Sequence, residues 1–165
     1  SIGDSLLDYI DKDKIENYKN SRNVFVYDDK TFYSATFWEG FKVETFEFLQ
    51  FHLKAEDKQY RIYAVAGRTN FKDNIKDCYT MMDEVVNDIK SLFNNYKLND
   101  YGITDLENQD GSIAKVKSIY LDLRIGGTIA IQCYDHPPEF NITDNLSISI
   151  YSKEFSDWLR YDAYN

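Results

Sequence analysis

Residues 71–96, FKDNIKDCYTMMDEVVNDIKSLFNNY, decide how this chain folds. Their apolar positions, Phe71, Ile75, Cys78, Tyr79, Met82, Val85, Val86, Ile89, Leu92, Phe93 and Tyr96, recur every three or four residues and so gather into one stripe of a helix. The spacing predicts an amphipathic helix over 71–96 that must bury its stripe against another element. A partner follows at 128–134, TIAIQCY, where Ile129, Ile131 and Cys133 alternate with Ala130, Gln132 and Tyr134. That alternation predicts a strand with Cys133 on the isoleucine face. If the helix lies on this face, Cys78 meets Cys133, and we expect a disulfide that closes a separation of 55 residues. On a chain-entropy argument such a loop is worth roughly 4 kcal/mol. The alternative is a pair of free buried thiols acting as small hydrophobes, as in cytosolic proteins.

Working outward, Val24 to Gly67 is rich in β-branched and aromatic residues broken by turn signals at Asp28-Asp29-Lys30, Glu39-Gly40 and Ala55-Glu56-Asp57-Lys58. This predicts an antiparallel meander of strands near 23–28, 31–38, 41–53 and 59–67. Its large apolar residues are too many for one sheet face, so both faces must be partly covered. Before it, Gly3-Asp4-Ser5 and Asp11-Lys12-Asp13 each precede apolar residues and predict two short helical turns with Asp or Ser caps. After the helix comes an expected loop of about 15 residues holding Asp100-Tyr101-Gly102 and Gln109-Asp110-Gly111. A strand from Ile113 to Ile125 follows, in which Ala114 and Val116 are out of phase with Ile119, Leu121 and Leu123, which predicts a bulge near Lys117-Ser118. Gly126-Gly127 reads as a two-residue hairpin turn into 128–135. Beyond Pro137-Pro138, Leu146, Ile148 and Ile150 alternate with Asn145, Ser147 and Ser149, and Ser152 caps a last helix carrying Phe155, Trp158 and Leu159. The expected architecture is one α+β domain over 1–165, with about seven antiparallel strands in the order α-ββββ-α-βββ-α.

The chain has 165 residues and 19.5 kDa, with 43% hydrophobic and 16% aromatic residues, a composition that excludes disorder. A net charge of -9 and a pI near 4.7 repel a phosphate backbone and an anionic lipid surface alike, so neither nucleic acid nor membrane is an expected partner. No apolar run is long enough to span a bilayer. The opening at Ser1, without a basic apolar leader, fits a mature exported protein or a trimmed chain.

Gly3-Asp4-Ser5-Leu6 matches the first block of the GDSL esterases, but no strand precedes it. His52 and His136 have Leu49 and Cys133 where that triad needs an aspartate, so Asp4 or Ser5 is expected to cap a helix. Asp11-Lys12-Asp13 and Asp105 to Gly111 fail the calcium-loop pattern, which needs oxygen ligands at positions 1, 3 and 5. Cys133, Asp135 and His136 are too few for a structural zinc or an oriented thiol, and read as a strand end and turn. His52 is expected at a surface or edge. No metal and no cofactor is therefore expected. Asn141-Ile142-Thr143 and Asn145-Leu146-Ser147 fit a glycan acceptor pattern common by chance and receive no role.

The opening Gly3-Asp4-Ser5-Leu6-Leu7-Asp8-Tyr9, the stretch Cys78 to Phe93 with Glu84, Ile89 and Leu92, and Asp144-Asn145-Leu146 with Ser152-Lys153-Glu154-Phe155 and Trp158-Leu159 resemble an uncharacterised family of small secreted proteins from marine bacteria. The resemblance spans most of the chain. It implies export, to the periplasm or beyond; no activity, cofactor or partner is attached to that family. More loosely, a Gly-led helix followed by strands is similar to small domains of outer-membrane assembly lipoproteins and β-lactamase inhibitor proteins, which by analogy suggests protein binding.

Together these readings point to an exported, non-enzymatic binding module whose partner, a protein or a small ligand, rests on an aromatic sheet face formed by Tyr27, Phe37, Trp38, Tyr134 and Tyr151. The competing reading is a small hydrolase with paired carboxylates, for which the strand-embedded Asp122, Glu44 and Glu47 are the candidates.

Overall fold

The amphipathic stripe forms helix α2 (Ile75–Leu92), shorter than expected at both ends. Phe71 and Tyr96 lie in the flanking strands yet pack against the same apolar cluster as the helix, which is why the three-and-four spacing runs past both helix ends. The computed structural model describes residues 1–19, 23–38, 41, 43–72, 74–107, 111–124, 126–140 and 142–163. The turn expected at Glu39-Gly40, the Gln109-Asp110 pair, Ile125 and Asn141 lie outside them. Among the described residues, eight antiparallel strands form one sheet in the order β1-β2-β3-β4-β8-β7-β6-β5, and the α+β class is as expected. By contacts the chain divides into two compact units, Ser1–Gly67 with Ile150–Asn165, and Arg68–Ser149.

The first unit holds a 3-10 turn (Leu6–Asp8), α1 (Lys12–Lys19), β1 (Val24–Val26), β2 (Phe32–Phe37), β3 (Phe48–Lys54), the first half of β4 (Ala64–Phe71), and α3 (Lys153–Tyr161). Ser5 caps the 3-10 turn: its Oγ accepts from Leu7 N at 3.2 Å and donates to the Gln59 carbonyl at 2.6 Å, so the esterase-like serine serves local structure. Expected strand 41–53 starts only at Phe48. The β2–β3 register pairs Tyr33 with Leu53, Ala35 with Phe51 and Phe37 with Leu49, and these join Leu6, Ile10 and Ile15 in one core. On the opposite face Phe32 packs with Tyr27 and with Phe155 and Trp158 of α3, whose N-cap is Ser152. His52 is 8% exposed rather than at a surface. β3 is an interior strand, and the His52 ring lies 4.7 Å from Phe155 with Nδ1 at 3.2 Å from Tyr27 Oη. Gly67 ends this unit in contact with the Phe46 ring; a Cβ there would come within 2.5 Å of it, so only glycine fits.

The second unit is α2 on the strands β5 (Tyr96–Glu107), β6 (Ile113–Leu123), β7 (Thr128–Asp135) and most of β8 (Asp144–Tyr151), with the second half of β4. Cys78, Met82 and Val86 of α2 meet Ile119, Leu121, Ile129, Ile131 and Leu146. Cys78 and Cys133 are disulfide-bonded, with Cα atoms 6.0 Å apart and both side chains fully buried. Two expectations change. The loop placed after the helix is strand β5, twelve residues long. The irregularity expected in β6 lies on its neighbour: Asp100 pairs with Ile119 and Gly102 with Ser118, so Tyr101 is the extra residue, and Gly102 at φ +62° donates its N–H to Asp100 Oδ1 at 2.8 Å. β6 itself stays in unbroken register with β7, so the out-of-phase Ala114 and Val116 are simply buried on the face away from α2.

Candidate functional site

In the Arg68–Ser149 unit, one sheet face carries the apolar core and α2. The register Ser118↔Gln132, Tyr120↔Ala130, Val116↔Tyr134 and Asp122↔Thr128 gathers a different set on the other face. On β8, Leu146 and Ile148 point to the core, which leaves Asn145, Ser147 and Ser149 on this second face as well. α2 packs on the first face; on the second, Ala114, Val116, Ser118, Thr128, Ala130, Asn145, Ser147 and Ser149 are buried, while Tyr120, Gln132 and Tyr134 are half-buried.

The polar groups of this face are tied into a fixed ladder. Gln132 Nε2 donates to Ser118 Oγ and to Tyr120 Oη, each at 3.2 Å, while Tyr134 Oη donates to Gln132 Oε1 at 3.2 Å. The amide is thereby clamped in one orientation between two phenols. Toward the hairpin end, Asp122 accepts from Thr128 Oγ1 at 2.9 Å and from Asn99 Nδ2 at 3.0 Å. Tyr101 sets its ring edge-on against Tyr120 at 5.5 Å. Toward the other end the Arg68 guanidinium lies 5.6 Å from the Tyr134 ring, and the His136 ring stacks parallel to that tyrosine at 6.1 Å. His136 Nε2 is 3.5 Å from Asn145 Nδ2, and Asp144 Oδ1 accepts from the His136 backbone N–H at 2.9 Å. Burial, helped by the Arg68 charge, lowers the His136 pKa against the opposing pull of Asp144 and Asp135, so the ring is neutral at pH 7. His136 also borders an open cleft of about 700 Å³ that Lys72, Asp135 and Asp144 help to line.

The partly exposed groups of this face are the Gln132 amide, the Tyr120 and Tyr134 phenols and the Arg68 side chain. Hydroxyls and amides both donate and accept, and ring faces offer rigid apolar area at small entropic cost. Among the described residues, no group of His, Cys, Asp and Glu is arranged to hold a metal ion.

The five aromatic residues expected to form a platform do not share one surface. Tyr27 and Tyr151 belong to the cluster around Phe155, and Phe37 is buried in the core around Leu53. Trp38 is exposed and rests against Phe48 at 4.3 Å. Of the five, Tyr134 alone lies on the ladder. Glu44 and Glu47 are exposed in the first unit, and Asp122, in the second, accepts hydrogen bonds from Thr128 and Asn99. Reading the sequence did not single out Gln132, Ser118, Tyr120 or Arg68. The alternation of 128–134 does put Gln132 and Tyr134 together opposite the isoleucines, and that was the available signal.

No family model matches the chain, and neither curated proteins nor solved structures yield a match.

Proposed function

We propose that the chain is an exported binding module that holds a hydroxyl-rich ligand, of the oligosaccharide class, on the polar face of its Arg68–Ser149 unit. The observation that carries the reading is the half-buried Gln132 amide, clamped by Tyr120, Tyr134 and Ser118 on the face opposite α2. A sugar presents hydroxyls around its rim and a C–H face, and these match fixed amide and hydroxyl groups beside tyrosine rings. Arg68 over Tyr134 adds a cationic donor at one end of the strip. Export to an oxidising compartment is supported by the buried Cys78–Cys133 bridge, since disulfides persist there and are rare in reducing cytosol. No helix among the described residues is long and apolar enough to cross a membrane.

The test is a glycan array followed by NMR titration with the hexasaccharides of maltose, cellulose, chitin and laminarin type. The expected result is that at least one of them shifts backbone amides within 116–134, with Gln132→Ala and Tyr134→Phe each weakening that binding about tenfold, in line with about 1.4 kcal/mol for a lost polar contact. Failure of the whole panel to shift those amides, or unchanged binding by both variants, rejects the assignment. Acid-quenched thiol trapping in the native cells checks the compartment, where the two cysteines should be fully oxidised.

A further inference from the structure

We infer that the outer edge of β5 accepts an extended, cationic strand from another protein, a site separate from the polar face. Among the described residues, β5 is the last strand of the sheet order, with β6 as its single neighbour, and it runs for twelve residues, long for an edge. The backbone N–H and C=O groups of an edge strand that point away from the sheet form a template for another strand. Natural sheets blunt such edges with proline, lysine, bulges or shortness. In β5 the one bulge, at Tyr101, and the one lysine, Lys97, both lie in the first half. The second half, Gly102–Glu107, has none of these devices and pairs with Ile113–Ser118 in unbroken register.

This half is also sticky. Ile103 is 56% exposed, Leu106 42%, and Ile113 beside Glu107 54%. Pairing with Lys117, Lys115 and Ile113 puts Ile103, Asp105 and Glu107 on one side, and Thr104 and Leu106 on the other. An added strand would meet these side chains directly, at cross-strand distances of about 5 Å.

Charge selects the occupant. β5 carries Asp100, Asp105 and Glu107 against Lys97, and both charged residues of its second half are acidic. Lys115 and Lys117 lie one strand further in, and Lys117 Nζ already sits 3.5 Å from Asp83 Oδ1. A second copy would bring the same carboxylates and its own charge of -9, and like charges directly opposed destabilise a strand pair. A strand with Lys or Arg facing Asp105 and Glu107 and apolar residues facing Thr104 and Leu106 on the other side satisfies both the backbone and the side chains. This is recognition by strand addition, with main-chain bonds giving affinity and alternate side chains giving choice.

The probes are three labelled octapeptides: alternating Lys-Val, alternating Glu-Val, and the Lys-Val sequence N-methylated at every residue. Anisotropy titrations at low and physiological salt are combined with amide hydrogen exchange of the full chain. The expected result is that the Lys-Val peptide binds, weakens as salt rises, and slows exchange of amides within 102–107 at least tenfold. The Glu-Val and N-methylated peptides should bind at least tenfold more weakly. The double variant Asp105→Lys/Glu107→Lys, altered at exposed positions and checked for folding by circular dichroism, should lose most of the Lys-Val affinity. Equal binding of the acidic or methylated peptide, unaltered affinity of a folded double variant, or protection elsewhere overturns the inference. So does concentration-dependent dimerisation that protects 102–107, since the occupant would then be a second copy.

Discussion

Replacing both cysteines, as Cys78→Ala/Cys133→Ala, removes a covalent link across 55 residues. Closing a loop of that length removes chain entropy worth about 4 kcal/mol from the unfolded state at room temperature. Domains are stable by only about 5–15 kcal/mol, so the loss is a large share of the total. For 165 residues unfolding in one step, an entropy of roughly 2.1 cal/mol/K per residue gives about 0.35 kcal/mol/K, and the loss becomes a fall in Tm of about 12 °C. Truncating two fully buried side chains adds a cavity cost in the same direction. Urea and thermal melts followed by circular dichroism, compared with the oxidised chain, measure both numbers. Reduction offers a parallel check, because sulfurs with no exposure react with dithiothreitol only when the structure opens, so the rate of reduction should follow the rate of unfolding. A double variant that loses less than about 1 kcal/mol refutes the argument that the loop constrains the unfolded chain.

Three further outcomes follow from local contacts. Gly67→Ala places a Cβ within 2.5 Å of the Phe46 ring and should cost about 1–3 kcal/mol in urea melts; a neutral result would mean that the ring moves aside. Burial pushes the Asp29 carboxyl up, but hydrogen bonds from Thr31 and Trp158 outweigh it and hold its pKa below the usual carboxylate value of 3.8. A depressed carboxylate adds stability above its unfolded pKa that is lost as pH falls through its folded pKa, so the gap between the wild type and Asp29→Asn should hold at neutral pH and close below about pH 4. The Tyr60 phenol, hydrogen-bonded to Glu16 and buried, is pushed up to about 12. Its contribution is complete below pH 10 and disappears as pH rises through 12, and Glu16→Ala should bring the absorbance titration of this tyrosine back toward 10; a wild-type midpoint already near 10 contradicts the contact.

How much was legible depended on whether a residue's partners left a periodic trace. Helix α2, the strand carrying Cys133 and the bridge between them were readable because the apolar spacing encodes which face is buried. β5 was not, because an edge strand touches one neighbour and tolerates charge, and because Asp100-Tyr101-Gly102 has the composition of a turn while acting as a bulge. His52 was misplaced for the opposite reason: a polar residue on a predicted strand looks solvated until α3 and Tyr27 are known to cover it. The polar ladder lay between these cases. Alternation put Gln132 and Tyr134 on one face, but the hydrogen bonds that make that face a site run between strands, and single-strand periodicity carries no register.

The cysteine link has one more outcome, for a protein exposed to proteases. Everything from Tyr79 to Gln132, including all of β5 and β6, lies inside the covalent ring that it closes. A cut in the exposed edge strand therefore divides the backbone without releasing either half. The nicked molecule should run as a single band until a reductant is added, and only then as two fragments.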